Sequence, residues 1–370
     1  MKPLTHIMQR QEKAVFSLRS VFDQYGYQQF RMNRFEEYDL YLRNKDFLIS
    51  DSILTFTDPV GRLMALKPDV TISIVKNFRY QPQMVQRVYY DENVYRVPKG
   101  SQTAKEIMQV GLECMGDIDA YCRYEVVSLA VKSLETLDVP YVLSLSHLGF
   151  VTRIIERCGF APSDVRKALQ WVEEKNAHEL TALAQSYQLP ADLRNALLNL
   201  VKTYGEVTTA ISELEEDFKD WVEEDIWQPF MELLRALSSM QRTGAIWVDF
   251  SVMNDIHYYN GIVFQGFVQG IPDVILSGGQ YDGLMEKFGK VGSAIGFALY
   301  LNLLERLEEQ DGRNQVDVMI LYDETTDPAT VQNKAEELRR EGKRVLCVRQ
   351  EPENILCLER INMKKEETHA

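Results

Sequence analysis

The chain has 370 residues, 45% hydrophobic and 26% charged, with a formal net charge of −14. That length supports a sizeable core and more than one domain, and the acidic balance argues against a phosphate backbone as partner. Five cysteines, Cys114, Cys122, Cys158, Cys347 and Cys357, lack Cys-x-x-Cys spacing, which speaks against a zinc site or a disulfide framework and for reduced thiols.

The N-terminal residues Met1 to His6 hold no apolar signal-peptide core, and no run of about 18 apolar residues occurs, so a cytoplasmic location without membrane contact is expected. From Gln9 to Tyr25 apolar residues recur at Val15, Leu18, Val21, Phe22 and Tyr25, the stripe of a helix that Gly26 stops. Tyr27 to Phe35 reads as a strand leading into a loop. Ile53–Phe56 and Leu63–Leu66 read as a hairpin around Asp58-Pro59-Val60-Gly61. Thr71 then opens an apolar helical stretch, which puts Asp69 and Thr71 at a strand-to-helix junction. Helix capping and a role beside a cleft are both open there.

Gln86–Arg96 and Glu106–Met115 read as two long antiparallel strands joined by a polar loop, with Arg96, Gln109 and Glu113 on one sheet. Gln109 and Glu113 are four apart and share a face. A glutamate among such apolar neighbours lies either on a solvated face or in a polar pocket that supplies a partner. Asp119–Leu137 reads as a helix and Pro140–Leu145 as a strand ending in Ser146-His147-Leu148-Gly149. Helical periodicity governs Phe150–Met240, an insertion between two parts of a sheet, and its acid-rich segment Glu213–Asp225 reads as a solvated face.

After a strand at Ile246–Phe250, the stretch Asn254 to Phe264 alternates Tyr258, Asn260, Ile262 and Phe264 against Tyr259, Gly261 and Val263, the pattern of a strand buried on both faces. A buried phenol needs a hydrogen-bond partner, so either these tyrosines face a polar ligand or network, or one is core and the other surface. Ala294–Glu308 reads as a helix or a strand-helix unit, and 309–314 as a linker. Val316–Tyr322, Pro328–Arg340 and Arg344–Val348 make a small βαβ unit, and 362–370 reads as a charged tail.

These pieces, in this order, resemble the catalytic core of histidyl-tRNA synthetase. That family's signature Arg-Gly-Leu-Asp-Tyr-Tyr falls on Asn254-Asp255-Ile256-His257-Tyr258-Tyr259, and its Gly-Gly-Arg-Tyr-Asp-Gly on Gly278-Gly279-Gln280-Tyr281-Asp282-Gly283. The resemblance implies an α+β fold: a class II aminoacyl-tRNA synthetase-like antiparallel sheet flanked by helices over residues 1–312, with a helical insertion at about 150–240. A truncated α/β unit over 313–370 would be a remnant of an anticodon-binding domain. The resemblance also implies a histidine pocket. Asp69 (usually Glu in the family), Thr71 and Gln109 would hold the amino group, and Glu113 and Tyr259 the imidazole, with Tyr258 as a neighbouring contact. Arg96 matches the motif 2 arginine and is open to a ligand carboxylate, a nucleotide phosphate or a salt bridge. A carboxylate accepting from one imidazole N–H while a phenol serves the other nitrogen would distinguish histidine from side chains of similar size.

The departures fall on cations. Asn254, Gln280 and Leu303 stand where the family has arginines, and the loop between the motif 2 strands offers Lys99 and Lys105 in place of an arginine run. Adenylate formation needs such groups on the triphosphate, and each lost donor costs on the order of a hundredfold to a thousandfold. A working synthetase is therefore not expected, nor is tRNA as a partner.

The form His257-Tyr258-Tyr259-Asn260-Gly261-Ile262-Val263-Phe264, with Ser146-His147-Leu148-Gly149, is similar to the regulatory subunits of ATP phosphoribosyltransferase, the enzyme of the first step of histidine biosynthesis. That likeness implies a chain with no catalysis, metal or cofactor of its own, which activates a short-form catalytic subunit and mediates feedback inhibition by histidine as allosteric ligand. The implied assembly is a hetero-octamer built on a homodimer of this chain. His257 reads as a structural histidine or as a titrating group. The alternatives are a divergent synthetase-like enzyme that still activates an amino acid, and a stand-alone histidine sensor.

Overall fold

The computed structural model describes residues 8–45, 53–97, 103–240, 245–253, 258–308, 316–352 and 355–364. The chain divides into two compact units, Met1–Arg306 and Leu307–Ala370.

In the first unit, helix α1 (Arg10–Gln24) buries Ala14, Val15, Leu18 and Phe22 and stops before Gly26, whose φ of 78° suits a residue without Cβ. The strand expected from Tyr27 to Phe35 is divided. Only β1 (Gln28–Gln29) and β2 (Phe35–Glu37) pair, and the polar residues Arg31, Asn33 and Arg34 lie between them. Helix α2 (Tyr38–Arg43) follows, then β3 (Thr55–Thr57) and β4 (Leu63–Leu66), the expected hairpin. Asp58 closes its turn by accepting from the amides of Val60 and Arg62. These strands form a small sheet in the order β2-β4-β3, and α3 (Thr71–Asn77) leaves it.

The main sheet begins with β5 (Val85–Arg96) and β6 (Lys105–Gly116), antiparallel along their whole length. Helix α4 (Ala120–Glu135) leads to β7 (Tyr141–His147). The insertion is helical as expected: α5 (Leu148–Arg157), α6 (Pro162–Glu173), α7 (Ala177–Ser186), α8 (Ala191–Lys202), then one short strand, β8 (Tyr204–Glu206), and α9 (Val207–Asp217) and α10 (Glu224–Ser238). The sheet resumes with β9 (Ile246–Asp249), β10 (Ile262–Val268) and β11 (Leu276–Gln280), and after α11 (Asp282–Lys287) it closes with β12 (Ser293–Tyr300). A 3-10 turn (Leu301–Leu304) and α12 (Glu305–Glu308) end the unit's described elements. Among the described residues the sheet has nine strands in the order β1-β5-β6-β12-β11-β10-β7-β9-β8. The run from β5 to β7 is antiparallel, whereas β1 joins β5 and β9 joins β7 in parallel.

The expected strand from Asn254 to Phe264 starts only at Ile262, and Asn254 to His257 lie outside the described residues. The rings of Tyr258 and Tyr259 meet at 4.7 Å between centroids, which the alternation of a strand would prevent. Gly261 allows the chain to enter the sheet, because a Cβ there would come 2.8 Å from Gln280 Oε1.

The two faces of the sheet differ. On one, Phe22 of α1 meets the rings of Tyr89 and Phe297, and Leu134 of α4 fills the space over Gly266. On the other, cross-strand pairing aligns Val88, Glu113, Gly296, Gly279, Val263 and Ser146 in one row. The second unit is a parallel sheet of β13 (Val316–Leu321), β14 (Val345–Val348) and β15 (Cys357–Asn362) in the order β14-β13-β15. Helix α13 (Pro328–Arg340) packs Val331, Ala335 and Leu338 against Val318 and Ile320.

Candidate functional site

Glu113 is the centre of the polar face. Its position in β6 is fixed from both sides, by Val88 in β5 and by Gly296 in β12. Gly296 leaves the carboxylate its room, for a Cβ there would fall 1.8 Å from Glu113 Oε2 and 2.5 Å from the Leu112 carbonyl oxygen. Thr71, in the first turn of α3, donates its hydroxyl to Glu113 Oε1 at 2.7 Å, and Tyr281 donates to Oε2 at 2.6 Å. Burial pushes the Glu113 carboxyl up to about 8, while the Tyr281 and Thr71 hydrogen bonds pull it down and the nearby Asp69 raises it further.

Asp69 serves the start of α3 and also faces Arg96. Its Oδ1 accepts from the Ile72 amide at 3.0 Å, which caps α3, and its Oδ2 lies 3.6 Å from Arg96 Nη2. Burial raises its carboxyl above the ordinary range, and Arg96 and the α3 amides only partly offset this. The Arg96 Nε donates to the Pro68 carbonyl at 2.7 Å, so the guanidinium is tied to the loop that carries Asp69. Tyr258 shares a hydrogen bond with Thr71, and Tyr259 with Ser277 of β11. The Tyr259 ring lies over Gly279, where a Cβ would come within 2.7 Å of it. Burial holds the phenols of Tyr258, Tyr259 and Tyr281 well above their usual range, so all three stay protonated.

Asp69, Thr71, Glu113, Tyr258 and Tyr259 thus meet in one network, with Arg96 joined through Asp69. Gln109 is buried on the same face of β6, opposite Glu92 of β5 and Tyr300 of β12. The network sets two acidic side chains, both raised by burial, against one guanidinium, so a cationic ligand group would favour their ionised forms.

The reading of the sequence missed two tyrosines and an ion pair here. Tyr281 is the second hydroxyl on Glu113. Its signal was a phenol following paired glycines, a side chain that must find a partner if buried. Tyr90 lies over Gly111, where a Cβ would meet its hydroxyl at 2.6 Å. Lys67 is fully buried and binds Glu92 Oε2 at 2.6 Å. Of the positions expected to depart from the synthetase pattern, Gln280 donates to Asp282 at 2.6 Å, and Leu303 is half-buried in the 3-10 turn after β12. Asn254, His257 and Lys99 lie outside the described residues. Among the described residues no group of His, Cys, Asp and Glu side chains is arranged to hold a metal ion, and no helix is long and apolar enough to cross a membrane.

The sequence is 25% identical over 337 residues to the ATP phosphoribosyltransferase regulatory subunit of Ruminiclostridium cellulolyticum, covering 89% of this chain and 80% of that one. Among solved structures, an ATP phosphoribosyltransferase regulatory subunit/histidyl-tRNA synthetase from Bacillus halodurans shares the fold at a TM-score of 0.73 and 21% identity, over 96% of this chain and 94% of that one. An ATP phosphoribosyl transferase complex from Thermotoga maritima contains a chain matched at a TM-score of 0.61 and 17% identity, over 78% of this chain and 96% of that one. The class II synthetase-like fold expected from the signatures is therefore the fold observed. The profile of the histidyl-tRNA synthetase family matches residues 4–304, and the chain belongs to that family.

Proposed function

We propose that this chain is the regulatory subunit of ATP phosphoribosyltransferase, a cytoplasmic protein that acts in the first step of histidine biosynthesis without catalysing a reaction itself. It binds and activates a short-form catalytic subunit and lowers that subunit's activity when histidine occupies the Glu113 site. The names of the relatives support the role, and the Thr71–Glu113–Tyr281 arrangement is the observation that carries the ligand. A carboxylate fixed by two hydroxyls accepts one imidazole N–H, Tyr259 serves the other nitrogen, and Asp69, Thr71 and Gln109 hold the ammonium.

The absence of chemistry draws support from Gln280. Where an arginine would present a cation to a triphosphate, this amide is spent on Asp282. Without such donors, adenylate formation loses on the order of a hundredfold to a thousandfold for each. Histidine acts as an allosteric effector to the extent that it binds the inhibited assembly more tightly than the active one. The assembly is a hetero-octamer founded on a homodimer of this chain.

The test mixes the purified chain with a short-form catalytic subunit and follows phosphoribosyl-ATP formation. Activity should rise on adding the chain and fall with histidine, and Glu113→Ala should abolish only the response to histidine. Activity indifferent to the chain would sink the reading, and ATP–pyrophosphate exchange dependent on histidine would replace it with an activating enzyme.

A further inference from the structure

The turn Lys67-Pro68-Asp69, which leads from β4 into α3, is fastened to β5 through its backbone and through a side chain. The Lys67 carbonyl accepts from the Tyr95 amide at 2.9 Å, and the Lys67 amide donates to the Arg34 carbonyl at 3.1 Å. The next carbonyl, that of Pro68, accepts from Arg96 Nε at 2.7 Å. The Lys67 side chain turns inward, is 1% exposed, and sets Nζ 2.6 Å from Glu92 Oε2. Glu92 is itself held, because its Oε1 accepts from the Met32 amide at 3.4 Å. It pairs across the sheet with Gln109, as Val88 does with Glu113, so the ion pair belongs to the polar face.

Burying a lysine is costly, and one carboxylate seldom repays it. Replacing a buried ion pair with apolar residues of similar size is often neutral or stabilising. Stability is therefore a weak account of this pair, whereas geometry is a direct one. Lys67 stands two residues before Asp69, whose Oδ1 takes the Ile72 amide and whose Oδ2 faces Arg96. The two halves of the site then rest on different supports. Glu113 is seated in β6 between Val88 and Gly296 and keeps the Tyr281 hydroxyl, while Asp69 depends on the turn.

We propose that Lys67 and Glu92 are positioning residues for the ammonium group of the ligand. Their ion pair holds the turn against β5 and so sets where the Asp69 carboxylate stands. The inference rests on the reading of the Glu113 site as a histidine pocket, and it adds to that pocket two residues that act through Asp69.

The test is calorimetry on the full-length chain with two probes. Histidine carries the ring, the ammonium and the carboxylate, and imidazolepropionate carries all but the ammonium. In Lys67→Met, histidine should bind roughly ten- to a hundredfold more weakly, the worth of one hydrogen bond between charged groups. Imidazolepropionate should change by no more than about twofold. Glu92→Gln keeps the shape and an acceptor for Lys67, so it tests the pair without leaving a buried charge alone, and it should move histidine in the same direction by less. On an Asp69→Asn background, Lys67→Met should cost no more than about twofold further, since nothing is left to position. Equal weakening of both probes, an unchanged affinity for histidine in both variants, or a full additional loss on the Asp69→Asn background would overturn the proposal. An unsubstituted chain that binds neither probe would instead sink the reading of the site, and this inference with it.

Discussion

Replacing Glu113 with glutamine should abolish much of the stability loss that the chain undergoes as the solution turns alkaline. Burial moves this carboxyl from 4.5 to about 8, so the folded chain holds the proton more tightly than the unfolded one. Its contribution to stability is fully present below the unfolded value and is lost as pH rises through the folded one. At about 1.4 kcal/mol per pH unit, the span amounts to roughly 4–5 kcal/mol of stability lost between weakly acidic and alkaline solution. Glutamine keeps the shape of the neutral acid and cannot ionise. Urea midpoints measured from about pH 5 to about pH 9 should therefore nearly coincide at the acidic end, with Glu113→Gln the more stable at the alkaline end. Groups common to both chains cancel in the comparison. A difference between the two chains that stays flat with pH would refute the reasoning, because Glu113 would then ionise as freely when folded as when unfolded. The same variant should lose histidine binding, so the position exchanges stability for recognition.

Tyr281→Phe removes one of the two hydroxyls on Glu113, a hydrogen bond to a neutral acid of roughly 0.5–1.5 kcal/mol, and calorimetry should find histidine bound roughly two- to tenfold more weakly. Gly296→Ala places a methyl against Glu113 and the Leu112 carbonyl. It should cost roughly 2–4 kcal/mol in urea unfolding through overpacking and the displaced carboxylate, and an unchanged midpoint would contradict the geometry. Burial holds His147 down to about 4, first through desolvation and then through Arg123. Its neutral Nδ1 accepts from the Gly149 amide at 3.1 Å. The contribution is complete above about pH 6.5 and is lost as pH falls toward 4, roughly 3 kcal/mol in all, and His147→Asn should flatten that acid limb of the stability profile.

The long elements were legible wherever one physical signal ruled. Strand β6 alternates Met108, Val110 and Leu112 with Gln109, Gly111 and Glu113, and α13 runs from Pro328 to Arg340 as its start and stop signals indicate. Tyr258 and Tyr259 were misplaced because alternation of residue type does not distinguish a strand from a turn whose rings meet edge to face. Strand β15 escaped notice because it is largely exposed at a sheet edge and carries Glu359 and Arg360, so no apolar rhythm marks it. In the site, the motif residues drew attention to Asp69, Thr71, Glu113 and Tyr259. Tyr281 was hidden because a hydrogen bond across 168 residues has no local signature. The ion pair of Lys67 with Glu92 is invisible for the same reason.

That span has a consequence for how the chain behaves as a whole. One oxygen of Glu113 is held from the first quarter of the sequence by Thr71, and the other from the last third by Tyr281. An N-terminal fragment that keeps Asp69, Thr71 and Glu113 would retain most of the recognition residues and still be an incomplete receptor. A ligand seated there acts as a fastener between distant stretches of chain, and whatever it gains in binding is returned as resistance of the whole first unit to unfolding, growing with the logarithm of ligand concentration.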